Sequence, residues 1–240
     1  MSEATPFQGM ASLPEGYRAL VIGASGALGA AFVEQLQADP RCAGVTGLHR
    51  HSVPALDFAD EASIAAAAQA LREQAPFHLL INAAGLLHSA DFMPEKKLGE
   101  LSYAQLQTTF LVNTFGPALL LRHLVPLMDR QRSVLALLSA KVGSIEDNRL
   151  GGWYSYRASK AALNMLIKTA AIETKRQLPG AALIALHPGT VNSALSRPFR
   201  GEQIGRPPAL AAQEMLAVLD RVQAEDSGSF LSYQGERLPW

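Results

Sequence analysis

Hydrophobic residues along this chain fall into short continuous runs, separated by longer stretches in which Ala and Leu recur with helical spacing. The runs of strand length are Ala19–Ile22, Gly44–Leu48, His78–Ile81, Val134–Leu138, Leu183–Leu186 and Phe230–Ser232. Near-continuous apolar runs suit parallel strands covered on both faces, whereas a strand with one wet face alternates. Between them the spacing predicts helices over Ala27–Ala38, Glu61–Gln74, Tyr103–Met128, Tyr154–Arg176 and Pro208–Val222. Strands alternating with helices imply right-handed crossovers, hence an α/β fold of three layers, doubly wound about a central parallel sheet of about seven strands. Residues 1–17 read as a flexible leader and residues 18–240 as one domain. The stretch 189–207, rich in Pro, Gly and Arg, reads as a mobile loop.

Composition narrows the function. Lys+Arg and Asp+Glu both total 21 in 240 residues, so the net charge is zero. Neither nucleic acid nor an anionic membrane is an expected partner. The single cysteine, Cys42, excludes an intramolecular disulfide framework and a zinc site built on several cysteines, and no metal site is expected. Its place in a strand suits a packed side chain better than a reactive thiol. No basic segment followed by a long apolar one opens the chain, and the expected location is the cytoplasm.

The first strand runs into Gly23-Ala24-Ser25-Gly26-Ala27-Leu28-Gly29, which opens a helix. That context is the one a dinucleotide fingerprint requires, and it gives the sheet the character of a Rossmann fold. Gly23 permits the turn, Gly26 lets backbone approach a pyrophosphate, and Gly29 lets helix and strand pack closely. Ser25, Ala27 and Leu28 then present free N–H groups to phosphate. An ordinary tight turn would use similar residues. The second strand ends Leu48-His49-Arg50-His51 with no carboxylate to hold a ribose 2′-hydroxyl. Arg50, assisted by Ser25 or His49, suits a 2′-phosphate, so NADP(H) is preferred over NAD(H). The alternative for Arg50 is a solvated charge. Asp57 is placed to accept from an adenine amino group, or is an N-terminal helix charge. Asn82, Ala83, Ala84 and Gly85 close the third strand, where small residues leave room for the adenosine ribose and the Asn82 amide can tie strands together; the alternative is a plain strand-to-loop turn.

Tyr156 and Lys160 stand four apart on a predicted helix and share one face. An ammonium there stabilises a phenolate and lowers a tyrosine pKa that is ordinarily about 10. The pair follows the Val134–Leu138 strand, at the sheet edge where open α/β sheets bind ligands. Tyr154 has no such lysine and reads as packing or substrate contact.

The order of these segments resembles the short-chain dehydrogenase/reductases: glycine turn, Asn82-Ala83-Ala84-Gly85, Val112-Asn113, Ser139, Tyr156/Lys160, Pro188-Gly189. The stretch Gly143 to Asn148 through Gly151-Gly152, and the ending Gly235 to Trp240, resemble carbonyl reductases of the sniffer and C-factor type. The resemblance implies that Tyr156 gives a proton to a carbonyl oxygen as hydride arrives, while Lys160 binds the nicotinamide ribose. It implies that Asn113 holds a water linking Lys160 to solvent. Pro188, Gly189, Thr190 and Val191, with Ser193, frame the nicotinamide. Ser139 is the expected serine of the catalytic set, with Ser144 in reserve. Two departures stand out: the glycine spacing is nearer that of nucleotide-sugar epimerases, and the slot three residues before Gly143 holds Ala140.

Leu86, Leu87, Val142, Ile145, Trp153 and Phe199 are expected to wall an apolar pocket, favouring a hydrophobic ketone, aldehyde or quinone. The function expected is NADPH-dependent carbonyl reduction. The alternatives are an NADP-binding, C-factor-like signalling protein with little turnover, and a nucleotide-sugar epimerase, which the length disfavours. The helices at 103–128 and 154–176 carry long Ala/Leu faces of the kind that often pair between subunits in the family this chain resembles, which implies a homo-oligomer, most simply a dimer.

Overall fold

The protein is described here by a computed structural model covering residues 9–240. Its strands are β1 Tyr17–Ile22, β2 Cys42–Leu48, β3 Leu79–Asn82, β4 Ser133–Leu138, β5 Ala181–His187 and β6 Ser229–Ser232. They form one parallel sheet in the order β2-β1-β3-β4-β5-β6. Helices α1 Ala27–Gln37, α2 Glu61–Ala70, α3 Tyr103–Phe110, α4 Gly116–Leu124, α5 Tyr154–Gln177, α6 Gly201–Ile204 and α7 Pro208–Arg221 supply the connections. Every expected strand is present within two residues of its predicted limits. Among the described residues the sheet has six strands against the expected seven or so. Between β2 and α2 the chain turns back on itself: Leu56 N donates to His49 O at 3.1 Å, and the Ser52 hydroxyl bridges His49 O and Pro54 O.

Alternate strand residues feed two cores, as period-two geometry demands. Leu20, Ile22, Leu80, Leu135, Leu137 and Leu183 pack on the side of α2, α4 and α5. Ala19, Val21, Ile81, Val134, Ile184 and Leu186 pack on the side of α1 and α7, against Phe32, Leu36, Met215 and Leu219. Of the expected leader, residues 1–8 lie outside the described residues. The remainder is packed: Met10 and Leu13 are buried in the second core, and Met10 N and the Tyr17 hydroxyl both donate to Asp39.

The helix expected over Tyr103–Met128 is interrupted by a π-helical turn at Leu111–Phe115, where Gly116 N reaches back to Leu111 O. Pro117 has no N–H for the carbonyl four residues earlier, that of Asn113, so regular pairing fails there. This stretch is apolar enough to span a bilayer by composition. Here its Leu120, Leu121 and Leu124 are buried in the core beside α5. The stretch 189–207 is built rather than loose, with turns at Arg197–Phe199 and α6, and backbone pairing between Thr190–Asn192 and Arg206. Past β6, Leu238 N donates to Phe230 O, and Trp240 stacks on Phe230 at 5.6 Å.

Candidate active site

The ends of β1, β3, β4 and β5 lie side by side, so Gly23, Ala83, Ser139 and Pro188 meet along one edge. The chain winds outward from β1 to β2 and then crosses to β3, which makes β1/β3 the topological switch point. Gly23 has φ of 80°, and a Cβ there would stand 2.7 Å from Ala84 N. A Cβ on Gly29 would stand 2.1 Å from Gly23 O, so only glycine lets α1 close on the turn. Gly26 is the N-cap of α1 and brings no side-chain cap. Ser25, Gly26 and Ala27 are exposed there, and Leu28 is half-buried. Free N–H groups at an uncapped helix start over a glycine turn fit the pyrophosphate of a dinucleotide.

Arg50 is exposed at the end of β2, with no ion-pair partner among the described residues. His49 is turned toward its own loop, its Nδ1 accepting from His51 N at 3.1 Å. One Asp57 oxygen accepts from Ala59 N. Asn82 does not join strands through its amide: Oδ1 accepts from Ala84 N at 3.1 Å and closes its own turn, while Ala83 N makes the strand tie to Ile22 O.

Tyr156 and Lys160 lie one turn apart on α5, both buried, with Nζ 5.8 Å from the phenol ring centroid. Lys160 Nζ donates to Leu138 O at 2.9 Å. Burial lowers its pKa to about 8. Burial also pushes the Tyr156 phenol above its ordinary range, against the expected lowering by the lysine. Asn113, fully buried on the π turn, accepts from Leu86 N at 2.8 Å and donates to Leu86 O at 2.7 Å and to the Ser159 hydroxyl at 3.1 Å. Its amide thus clamps the loop after Gly85, with both amide hydrogens donated and one of the two lone pairs of Oδ1 used.

Ser139 is buried with its hydroxyl on Asn164 Oδ1 at 2.6 Å. Ser139 continues the β4 alternation of Ser133, Leu135 and Leu137, which turns it to α5 and away from the pocket. The methyl of Ala140 instead packs with Tyr156 and Leu87. Ser144 is also committed elsewhere, donating to Trp240 O at 3.2 Å and accepting from Asp147 N.

Val142, Trp153, Leu195 and Phe199 pack against that small buried cluster. Trp153 and Phe199 rings are 4.9 Å apart and Trp153 and Tyr156 6.3 Å. Ile145, expected in the wall, is 78% exposed, and Tyr154 also faces outward at the start of α5. Gly189 has φ of 68°, Thr190 is exposed, Val191 is buried, and Ser193 meets Ser196.

Two residues tie the site together without any sequence signal. Arg206 donates to Pro188 O, pairs with Glu214 and lies 3.5 Å over the Tyr233 ring, fixing the Pro188–Thr190 turn. Glu95, 2% exposed, is bonded to Ser155 at the start of α5. Each is a charged residue in a loop, indistinguishable by sequence from a solvated one.

A family profile described as enoyl-(acyl carrier protein) reductase matches residues 22–233. The chain is 31% identical to 1-hydroxy-2-glutathionyl-2-methyl-3-butene dehydrogenase of Rhodococcus sp. (strain AD45), over 85% of this chain and 84% of that one. It is 34% identical to C-signal of Myxococcus xanthus, over 69% of this chain and 93% of the other. The crystal structure of an NADPH-bound carbonyl reductase from chicken fatty liver superposes with a TM-score of 0.80 at 26% identity, covering 95% of this chain and 100% of that one. Fold, ordered segments and these matches agree: the chain belongs to the short-chain dehydrogenase/reductase family.

Proposed function

We propose that this protein is an NADPH-dependent reductase of an apolar ketone, aldehyde or quinone, with Tyr156 as proton donor. The observation that carries the reading is the buried Tyr156/Lys160 pair on α5, opening onto a small apolar cluster at the end of the sheet. NADPH, when bound along the β1/β3 crevice, supplies hydride to the carbonyl carbon. Burial keeps the Tyr156 phenol protonated, so its proton is available to the carbonyl oxygen. The Lys160 ammonium beside it then stabilises the tyrosinate. Asn113 holds Leu86 and, with it, the loop carrying Leu87. Arg206 holds the Pro188 carbonyl and so the turn that frames the nicotinamide. Leu87, Trp153 and Phe199 keep water from the reacting atoms.

Arg50 has no carboxylate beside it in the ribose position, which supports a 2′-phosphate and hence NADPH. A small carbonyl compound is the substrate, the working compartment is the cytoplasm, and two copies pair through α5 and the π turn with α4 after it, where Phe115, Met165 and Ile172 are exposed. Alcohol oxidation, as the name of the Rhodococcus relative implies for that protein, is the same chemistry reversed.

The test follows NADPH and NADH consumption over a panel of apolar aldehydes, ketones and quinones, for wild type and Arg50→Glu. Turnover at least about 10-fold better with NADPH is expected, with the ratio levelled or inverted in the variant; loss of the ion pair with phosphate accounts for such a change. An unchanged ratio removes Arg50 from the cofactor site. NADPH binding without turnover of any carbonyl would favour a signalling protein with little turnover, the second reading, which the likeness to C-signal and the methyl of Ala140 support.

A further inference from the structure

The backbone leading into α5 is left-handed over three successive residues: Gly151, Gly152 and Trp153 have φ of 62°, 65° and 54°. Among the described non-glycine residues only Trp153 and Arg200 have positive φ. A bulky side chain there is unfavourable and persists only where its neighbours over-determine it. The neighbours come from a loop far away in sequence. Trp153 N donates to Glu95 O at 2.5 Å. The Glu95 carboxylate accepts from Ser155 N at 3.2 Å and from the Ser155 hydroxyl. This carboxylate is buried, and its counter-charge is the start of the 24-residue helix α5, where unpaired N–H groups and the macrodipole favour an anion. Arg157 braces the other side, donating to Gly151 O, Gly152 O and Val142 O. So held, the indole lies against Phe199 and Tyr156.

We propose that Glu95 is a positioning residue for substrate selection: its carboxylate caps α5 at Ser155 and so seats its own backbone carbonyl on Trp153 N, fixing the indole as a pocket wall beside Tyr156. Its kinetic consequence rests on the reductase reading; its structural consequence does not. Glu95 and Asn113 grip the two ends of the 86–95 segment, one through Ser155 and the other through Leu86, so the Leu87 wall is strung between the same two helices that carry Tyr156 and Asn113.

The experiment uses the full chain with Trp240→Phe, which leaves Trp153 as its single tryptophan. Emission and acrylamide quenching of Trp153 are compared for Glu95, Glu95→Gln and Glu95→Ala, together with NADPH affinity and the KM and kcat of a bulky aromatic carbonyl. Glu95→Ala is expected to red-shift the emission, increase quenching and raise KM about 10-fold or more, within the range a misplaced apolar wall produces. NADPH affinity and kcat change little, and Glu95→Gln, which keeps a carboxamide acceptor for Ser155, restores most of the loss. Should Glu95→Ala not fold, Trp153→Gly tests the wall directly, since glycine accepts the same φ and removes the indole; the same rise in KM is expected. Unchanged emission and KM in Glu95→Ala, or an unchanged KM in Trp153→Gly, overturn the proposal, as does a fall in kcat with KM unmoved. A shifted emission with no turnover in any protein, wild type included, overturns the reductase reading while supporting the grip of Glu95 on Trp153.

Discussion

Ala140 sets its methyl against Tyr156, at the place where a serine would bring a second hydroxyl beside the phenol. A second donor to a developing oxyanion is worth roughly 10²–10³ in rate where it has been removed from other enzymes. Ala140→Ser is therefore expected to raise kcat for unactivated ketones by about 10-fold or more, read in single-turnover NADPH oxidation. A rate that falls or stays level would mean that the residue 140 side chain does not reach the carbonyl. The position of Ala140 was legible by counting back from Gly143, and the fate of Ser139 follows from strand alternation, which sends residues 133, 135, 137 and 139 to the α5 side. The roles of Glu95 and Arg206 were not legible, because burial of a loop charge depends on which distant helix end or carbonyl the fold brings to it.

At the scale of elements, α5 carries the Tyr156/Lys160 pair and is destabilised by the buried lysine. Lys160 is buried with its pKa lowered to about 8, from an ordinary value near 10.5. Below pH 8 the lysine is protonated in both folded and unfolded states, and the full penalty of burying the ammonium is present. Between about pH 8 and 10.5 the unfolded chain binds more protons than the folded one, so stability rises with pH and the penalty vanishes. At 1.36 kcal/mol per pKa unit the penalty is on the order of 3 kcal/mol, less what the bond to Leu138 O returns. Lys160→Met should therefore unfold at higher denaturant than wild type at pH 7, with the advantage shrinking by pH 9.5. A variant less stable at pH 7, or an advantage that grows with pH, would contradict the assignment. Strands and helices themselves were readable, since each rests on local periodicity. The π turn was not, although Pro117 marks where the ladder breaks, nor was the packing of residues 9–17, because Met10 and Leu13 find their core only through β1 and α7.

For the whole molecule, parallel order turns separate local signals into one site. The glycine turn after β1, the small residues after β3, the cluster after β4 and the proline turn after β5 come from segments well separated in sequence, yet strand pairing places them along one edge. That convergence makes the central claim a claim about hydride and proton delivered to the same carbonyl. The direct measurement supplies NADPH deuterated at nicotinamide C4 to wild type and to Tyr156→Phe, with a carbonyl the wild type consumes, and follows the label into the product alcohol. The wild type is expected to place deuterium from one face of the nicotinamide on the carbinol carbon. Tyr156→Phe should bind NADPH with similar affinity and lose about 10²-fold or more in rate, as loss of a positioned general acid requires. Product formed without the label, or a variant that reduces as fast as wild type, would contradict the account.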